Sequence, residues 1–187
     1  MEEILLRNVN YNDLVLIFSW RNSEKVRRWM YNSDEISWED HKSWFEKLST
    51  SSDYLVKICE YKGKPYGIIS YKNINEEKGN CTWGFYIGEP NYPRGLGKML
   101  GYAGLNFAFY NLQVKTVYGE VLVNNKSSSN FHKKLGFKQH EFIKKHYIHP
   151  HLFKEIYTFS LNLSEWEIIK NNLFEKEVGN SHENHKS

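Results

Sequence analysis

Apolar residues recur along this chain in two rhythms, and the switches between them outline its elements. Residues 4–9 form a short apolar run suited to a first strand. Leu14, Leu16, Ile17, Phe18 and Trp20 then make a broad helical face, with Asn12 and Asp13 placed to cap it. Arg21, Asn22 and Ser23 interrupt that face, and residues 24–30 supply about two further helical turns. Ser37, followed by Glu39 and Asp40, opens another amphipathic helix whose apolar side is Trp44, Phe45 and Leu48.

The rhythm then changes to alternation. Residues 54–61 and 66–73 read as strands joined by a turn at Gly63 and Lys64, and a polar stretch over 75–80 leads to a strand at 82–87. A Gly-rich loop follows, then a helix over about 98–111. Residues 116–123 are β-rich, 127–135 helical and 137–143 strand-like; a turn at 146–150 leads to a last strand near 154–163. Ser164 caps a short final helix, and the polar tail over 175–187 is expected to be disordered. This order predicts one α/β (α+β) domain over 1–174, a mixed sheet with helices packed on it, divided by no repeat or linker.

Composition narrows this only a little. A chain of 187 residues, 40% hydrophobic and 25% charged, is large enough for one domain with a real core. Aromatic residues reach 16% and gather in the strand-like runs. A net charge of +3 argues against a dedicated nucleic-acid binder and suits an anionic small substrate or cofactor. Cys59 and Cys81 lack the paired spacing of a zinc or redox site and read as reduced, buried thiols. No apolar run is long enough to span a membrane, and the N-terminus opens with acids instead of a basic signal region. A cytoplasmic location is the expectation.

The loop holds the first candidate chemistry. Gly95 and Gly97 fall between a strand and a helix, with Arg94 and Lys98 beside them. Glycine lets backbone approach a ligand, and a helix start offers unpaired N–H groups and a positive dipole end. Alone, the two glycines read equally as a tight strand-to-helix turn or as a pyrophosphate cradle. A P-loop is excluded by the spacing, and a dinucleotide fingerprint by Leu100 where a third glycine belongs.

Three motifs in register resolve that ambiguity. The loop resembles the acyl-CoA pyrophosphate loop of the GNAT acetyltransferase superfamily, Gln/Arg-x-x-Gly-x-Gly/Ala, with Tyr92 standing where Gln or Arg is usual. Asn125 and Ser128 resemble the Asn-x-x-Ser/Ala that opens the next helix, and His132, Gly136 and Phe137 resemble its Tyr-x-x-x-Gly-Phe ending. The resemblance implies a GNAT fold: a mostly antiparallel sheet of about seven strands, helices on both faces, and a splayed parallel pair at 82–87 and 116–123. It implies acetyl-CoA in that cleft, cradled by Arg94, Gly95, Leu96, Gly97, Lys98 and Met99. The backbone near Tyr86 and Ile87 would pair with pantetheine amides, and Asn125 and Ser128 would lie along the pantetheine arm.

The N-terminal half bears on the acceptor. Trp20-Arg21-Asn22, then Arg28 to Tyr31, then Ser37 and His41, resemble the GNAT branch that acetylates the 4-amino group of a UDP-linked amino-dideoxy sugar in pseudaminic-acid biosynthesis. The resemblance implies Arg21 and His41 at phosphates or uracil, with Tyr31, Lys72 and Tyr86 also lining the acceptor site. Trp29 and Met30 read either as a stacking wall or as the apolar face of a short helix packing on the core.

Acetyl transfer needs a deprotonated amine, a polarised carbonyl and a protonated leaving thiolate. His132 holds the position of the family's tyrosine acid, so His132→Phe is expected to lower kcat with little change in acetyl-CoA affinity; the alternative is a surface histidine. Glu120, then Ser70, match positions that hold a proton-relaying water, against a solvated strand carboxylate and a small core residue. His146, His149 and His151 have no cysteine or carboxylate at a ligand spacing, so no metal is expected. The expected partners are acetyl-CoA and a nucleotide sugar, with neither nucleic acid nor membrane; a homodimer is compatible with the sequence. A ribosomal-protein N-terminal acetyltransferase and a non-enzymatic acyl-CoA-binding regulatory module are the rival readings.

Overall fold

The computed structural model describes residues 4–149 and 152–173. Seven strands form one sheet: β1 (Leu5–Asn8), β2 (Leu55–Tyr61), β3 (Lys64–Asn75), β4 (Asn80–Ile87), β5 (Thr116–Leu122), β6 (Lys138–His149) and β7 (Leu152–Asn162). Their spatial order is β1-β2-β3-β4-β5-β7-β6, and only β4 and β5 run parallel. The helices are α1 (Leu14–Asn22), α2 (Glu24–Arg27), α3 (Trp38–Thr50), α4 (Leu96–Asn106), α5 (Lys126–Lys134) and α6 (Leu163–Ile169). A π-helical turn, Phe107–Asn111, prolongs α4.

Strand alternation divides the apolar residues between two cores, because successive side chains point to opposite faces. Ile68 packs with Val56, Ile58, Ile17 and Trp20, while its neighbour Ile69 joins Tyr71, Trp83, Leu100, Leu105, Phe159 and Trp166 in the larger core. Cys59 and Cys81 are free and buried in that larger core, as their setting in strands predicts.

Several boundaries differ from expectation, each for a local reason. The N-terminal cap is Asn10, whose side chain accepts from the Asn12 amide, on a 3-10 turn at Tyr11–Asp13. Asp13 instead accepts from Asn10 N and pairs with Arg7 at 2.7 Å. Helix α2 is a single turn, since the following residues are held by side chains described below. Helix α4 starts at Leu96, earlier than Lys98, because Gly95 takes the left-handed conformation (φ 85°) and turns the chain directly into it. Strand β6 continues through His149, beyond the expected turn, because its polar second half pairs with β7. Residues 174–187, and with them the expected tail, lie outside the described residues, as do His151 and the side chain of His149.

The feature that matters for function is a fork. The β4–β5 ladder runs from Asn80↔Thr116 to Trp83↔Gly119 and ends there. Residues 84–87 of β4 then pair with β3 alone, and residues 120–122 of β5 with β7 alone. Backbone amides and carbonyls on the inner edges of the fork are left for another partner, which a peptide-like chain satisfies.

Candidate active site

The loop between β4 and α4 closes one end of the fork. At Gly95 nothing lies within 4 Å of where a Cβ would sit. At Gly97 a Cβ would meet only Ile87 Cδ1 at 3.8 Å and Phe131 Cε2 at 3.9 Å, an ordinary contact. Neither position is crowded by the protein, so the two glycines leave the helix start open to the approach of a ligand. The first amides of any helix lack partners one turn back; here Leu96 N turns to Pro93 O at 3.2 Å, and Met99 N closes the first turn on Gly95 O at 3.1 Å. Arg94, Leu96, Lys98 and Met99 surround this start, with Leu96 buried in the core. The exposed Tyr92 carries Lys25 Nζ over its ring at 4.8 Å. Asn125 caps α5 by accepting from Ser128 N at 3.0 Å, leaving its NH2 group as the one able to meet a ligand.

On the opposite face, strand register lines up the acceptor candidates. Ser70 pairs with Gly84, Lys72 with Thr82, and Thr82 with Tyr118, so all five share one face, with Glu120 two residues beyond Tyr118. Gly84 has no side chain, so the floor between Ser70 and Glu120, one strand apart on either side of it, is open. Ser70 Oγ donates to Gly84 O at 3.2 Å. Lys72 Nζ lies 5.2 Å from the Tyr54 ring. Desolvation lowers its ammonium while the negative Glu120 counteracts that shift.

The segment after α2 arches over this floor because three side chains hold it. Asn22 donates to Ile36 O at 3.0 Å and accepts from Ile36 N at 2.9 Å. Arg21 donates to Asn32 O at 2.8 Å, and Arg27 to Ser33 O at 3.1 Å. Tyr31 is thereby lowered onto Glu120, its hydroxyl donating to Oε2 at 2.6 Å. Lys144 of β6 donates to the other oxygen at 2.6 Å, and His146 stacks on Tyr31 with centroids 4.0 Å apart. Desolvation would raise the Glu120 carboxyl, but these hydrogen bonds and the positive charge beside it prevail and hold it below the ordinary value. Burial and Glu120 together raise the Tyr31 phenol, which stays protonated.

The same arch carries unused donors. Arg21 Nη1 and Arg27 Nε are buried without a hydrogen-bond partner among the described residues. Burial lowers the Arg21 guanidinium, Tyr86 opposes that shift, and Arg27 adds to it. Arg28, Lys154 and Phe153 line a neighbouring cavity of about 550 Å³ with Leu122 and Asn124. Lys154 Nζ donates to Met30 O at 2.9 Å. Trp29 and Met30 are half-buried, and the Arg28 guanidinium sits 5.1 Å from the Trp29 ring.

Two predicted site histidines are placed elsewhere. His41, 2% exposed, donates from Nε2 to Leu14 O at 2.9 Å and stacks on Trp44, fastening α3 to α1. It is a packing residue here, away from the floor. His132 is 3% exposed, so it is neither a surface residue nor open to the fork. Trp83 Nε1, which can only donate, lies 3.1 Å from His132 Nε2; the proton is therefore on Nδ1, which donates to Ser128 O at 2.8 Å. Burial pulls its pKa down to about 4. Neutral, with lone pair and N–H both engaged, it has no proton to give a thiolate. Sequence reading missed Asn22's clasp, the stacking of His146 on Tyr31 and Trp83 on His132; the Trp20-Arg21-Asn22 motif was a signal for the first. Lys144, which the sequence offered either as part of the acceptor mouth or as exposed charge on a hairpin, holds Glu120.

Fork, Gly-rich helix start and capped second helix are the parts of an acyl-CoA-binding transferase. Residues 3–138 match the family described as Acetyltransferase (GNAT) domain, and the chain belongs to that family. It is an acetyl-CoA-dependent N-acetyltransferase domain. It is similar to the acetyltransferase PseH of Campylobacter jejuni, at 27% identity over 129 residues, covering 69% of this chain and 79% of the relative. The crystal structure of PseH with acetyl coenzyme A shares the fold at a TM-score of 0.65 and 23% identity, covering 86% of this chain and 99% of that one. A spermidine N-acetyltransferase from Vibrio cholerae, solved with CoA and spermine, superposes at 0.80 but 15% identity, covering 89% and 99%. An uncharacterised protein of Methanocaldococcus jannaschii is 26% identical over 142 residues, 73% of this chain but only 28% of that longer protein.

Proposed function

We propose that this domain transfers the acetyl group of acetyl-CoA to the amino group of a nucleotide-linked amino-dideoxy sugar, with a UDP-linked 4-amino sugar of the pseudaminic-acid type as first choice. The carrying observation is Tyr31 on Glu120 at 2.6 Å, which joins the N-terminal arch to the strand flanking the donor fork. An acceptor lying under the arch brings its amine to Glu120 and its anionic part to Arg21 and Arg27, whose idle N–H donors suit phosphate oxygens. Similarity to PseH supports the same reading.

Charge separates this from a polyamine acceptor. Around the floor stand Arg21, Arg27, Arg28, Lys72, Lys144 and Lys154, against Glu120, Glu155 and Glu35, which pairs with Arg27 at 3.9 Å. A polycation meets repulsion there, whereas a nucleoside diphosphate is attracted.

In the proposed reaction Glu120 stays ionised and holds the incoming ammonium. One ammonium proton leaves to solvent through a water between Glu120 and Ser70. The free amine attacks the thioester carbonyl, the C–N bond forms, a second N–H proton leaves by the same water, and the C–S bond breaks. A thiol, whose pKa in cysteine is about 8.5, departs as thiolate and takes its proton from solvent. No side-chain acid is needed.

Thiol release from acetyl-CoA tests the acceptor, using UDP- and dTDP-linked 4-amino sugars, spermidine and a ribosomal-protein N-terminal peptide in parallel. Turnover is expected with a nucleotide sugar. Turnover with spermidine or the peptide alone would sink the reading.

A further inference from the structure

We infer that His132 is a positioning residue that sets where β4 and β5 part, and hence how deep the acyl-CoA fork reaches. This rests on the reading that acetyl-CoA lies in the fork.

The last rung of the parallel ladder is Trp83↔Gly119, and His132 touches both of its residues. From β4, Trp83 donates its indole N–H to His132 Nε2 at 3.1 Å. From β5, Gly119 lies so close that a Cβ there would come within 2.6 Å of the same nitrogen and 3.2 Å of Trp83 Nε1. From α5 itself, Ser128 O accepts from Nδ1 at 2.8 Å and so fixes the ring's orientation. The imidazole stacks on Phe159 of β7 at 5.0 Å and meets Phe137 edge-on at 5.0 Å. One ring thus ties helix and both strands at the apex. One residue further on, the strands have separated.

The arrangement has a geometric logic. A phenol at this position would reach past the rung, whereas the shorter imidazole stops at it and spends both nitrogens there. Gly119 is the complement: any side chain at 119 would push the ring out of the apex. Moving the apex by one rung moves the inner-edge amides that a pantetheine arm would use by a strand residue, about 3.3 Å. Donor affinity is therefore the property that His132 controls.

Three variants test this: His132→Phe, His132→Gln and Trp83→Phe, each assayed for acetyl-CoA KM, CoA affinity by calorimetry, kcat and its pH profile. Expected for His132→Phe and Trp83→Phe is acetyl-CoA KM up about tenfold. With saturating donor, kcat should stay within about threefold and its pH limbs should not move. His132→Gln keeps an acceptor for Trp83 and should recover donor KM, although an amide is no acid. The inference is overturned if His132→Phe and His132→Gln both lose about 100-fold in kcat with donor KM unchanged, while Trp83→Phe behaves as wild type. It is equally overturned if CoA affinity is unchanged in all three. Should His132→Phe fail to fold, the other two variants carry the same comparison. Gly97→Val separates the underlying premise: if CoA binding survives it unaltered, the donor is not at this loop and fork.

Discussion

The hydroxyl of Tyr31 donates to Glu120 Oε2 at 2.6 Å across 89 residues of chain, while Lys144 holds the other carboxylate oxygen. Under the proposed mechanism Glu120→Gln should lower kcat/KM about 100-fold or more and leave CoA affinity unchanged. Tyr31→Phe and Lys144→Met each remove an influence that lowers the Glu120 carboxyl. The acid limb of the kcat/KM profile should accordingly move to higher pH in both. A limb that stays in place in both variants would separate Glu120 from the rate.

Gly97→Ala should act on stability more than on binding. Its Cβ meets Ile87 and Phe131 at ordinary contact distance, and alanine in a helix is favoured over glycine by roughly 0.5–1 kcal/mol. The melting temperature should therefore hold or rise, with CoA affinity close to wild type because the loop motif takes alanine at this position, whereas the bulkier Gly97→Val should weaken CoA binding. A lowered melting temperature in Gly97→Ala would make Gly97 a folding residue instead.

His132 makes stability depend on pH. Its folded pKa of about 4 lies below an unfolded value of about 6.5, so the unfolded chain binds the proton first. Stability contributed by the neutral ring is intact above pH 6.5 and is lost as pH falls toward 4, by an amount on the order of 3 kcal/mol. His41, also lowered by burial, adds in the same direction. Urea unfolding of wild type and His132→Gln at several pH values should show the flatter dependence in the variant. Equal slopes would contradict the buried neutral ring.

Asn22→Ala removes both hydrogen bonds to Ile36 and loosens the arch that carries Tyr31. We expect a loss of about 1–3 kcal/mol in stability. Acceptor KM should rise, with acetyl-CoA KM unmoved. An effect on the donor side alone would show that the arch does not serve the acceptor.

Much of the fold was legible because its signals are short-range. Alternation in β2 and β3, the Ser37 cap with Asp40, and Asn125 capping α5 are set within a few residues, and each appears as the sequence pattern implies. The loop at Gly95 was legible for the same reason: a left-handed residue before a helix is a local requirement. Where polar sequence concealed structure, as along β6, the deciding partner was β7, and hairpin pairing left no alternation to read.

The site divided along the same line. Sequence alone identified the donor chemistry, since a glycine loop, a capping asparagine and a Gly-Phe ending keep a fixed spacing on consecutive elements. It also singled out Arg21, Tyr31 and Glu120, which the fold brings to one face. It did not distinguish His132 the acid from His132 the apex residue, because that depends on Trp83 and Gly119, which approach it only when β4, β5 and α5 pack. For His41 the same packing turned a polar residue inward onto Leu14 O. A histidine's chemistry lies in which groups hold its two nitrogens, and those groups are neighbours in space, not in sequence.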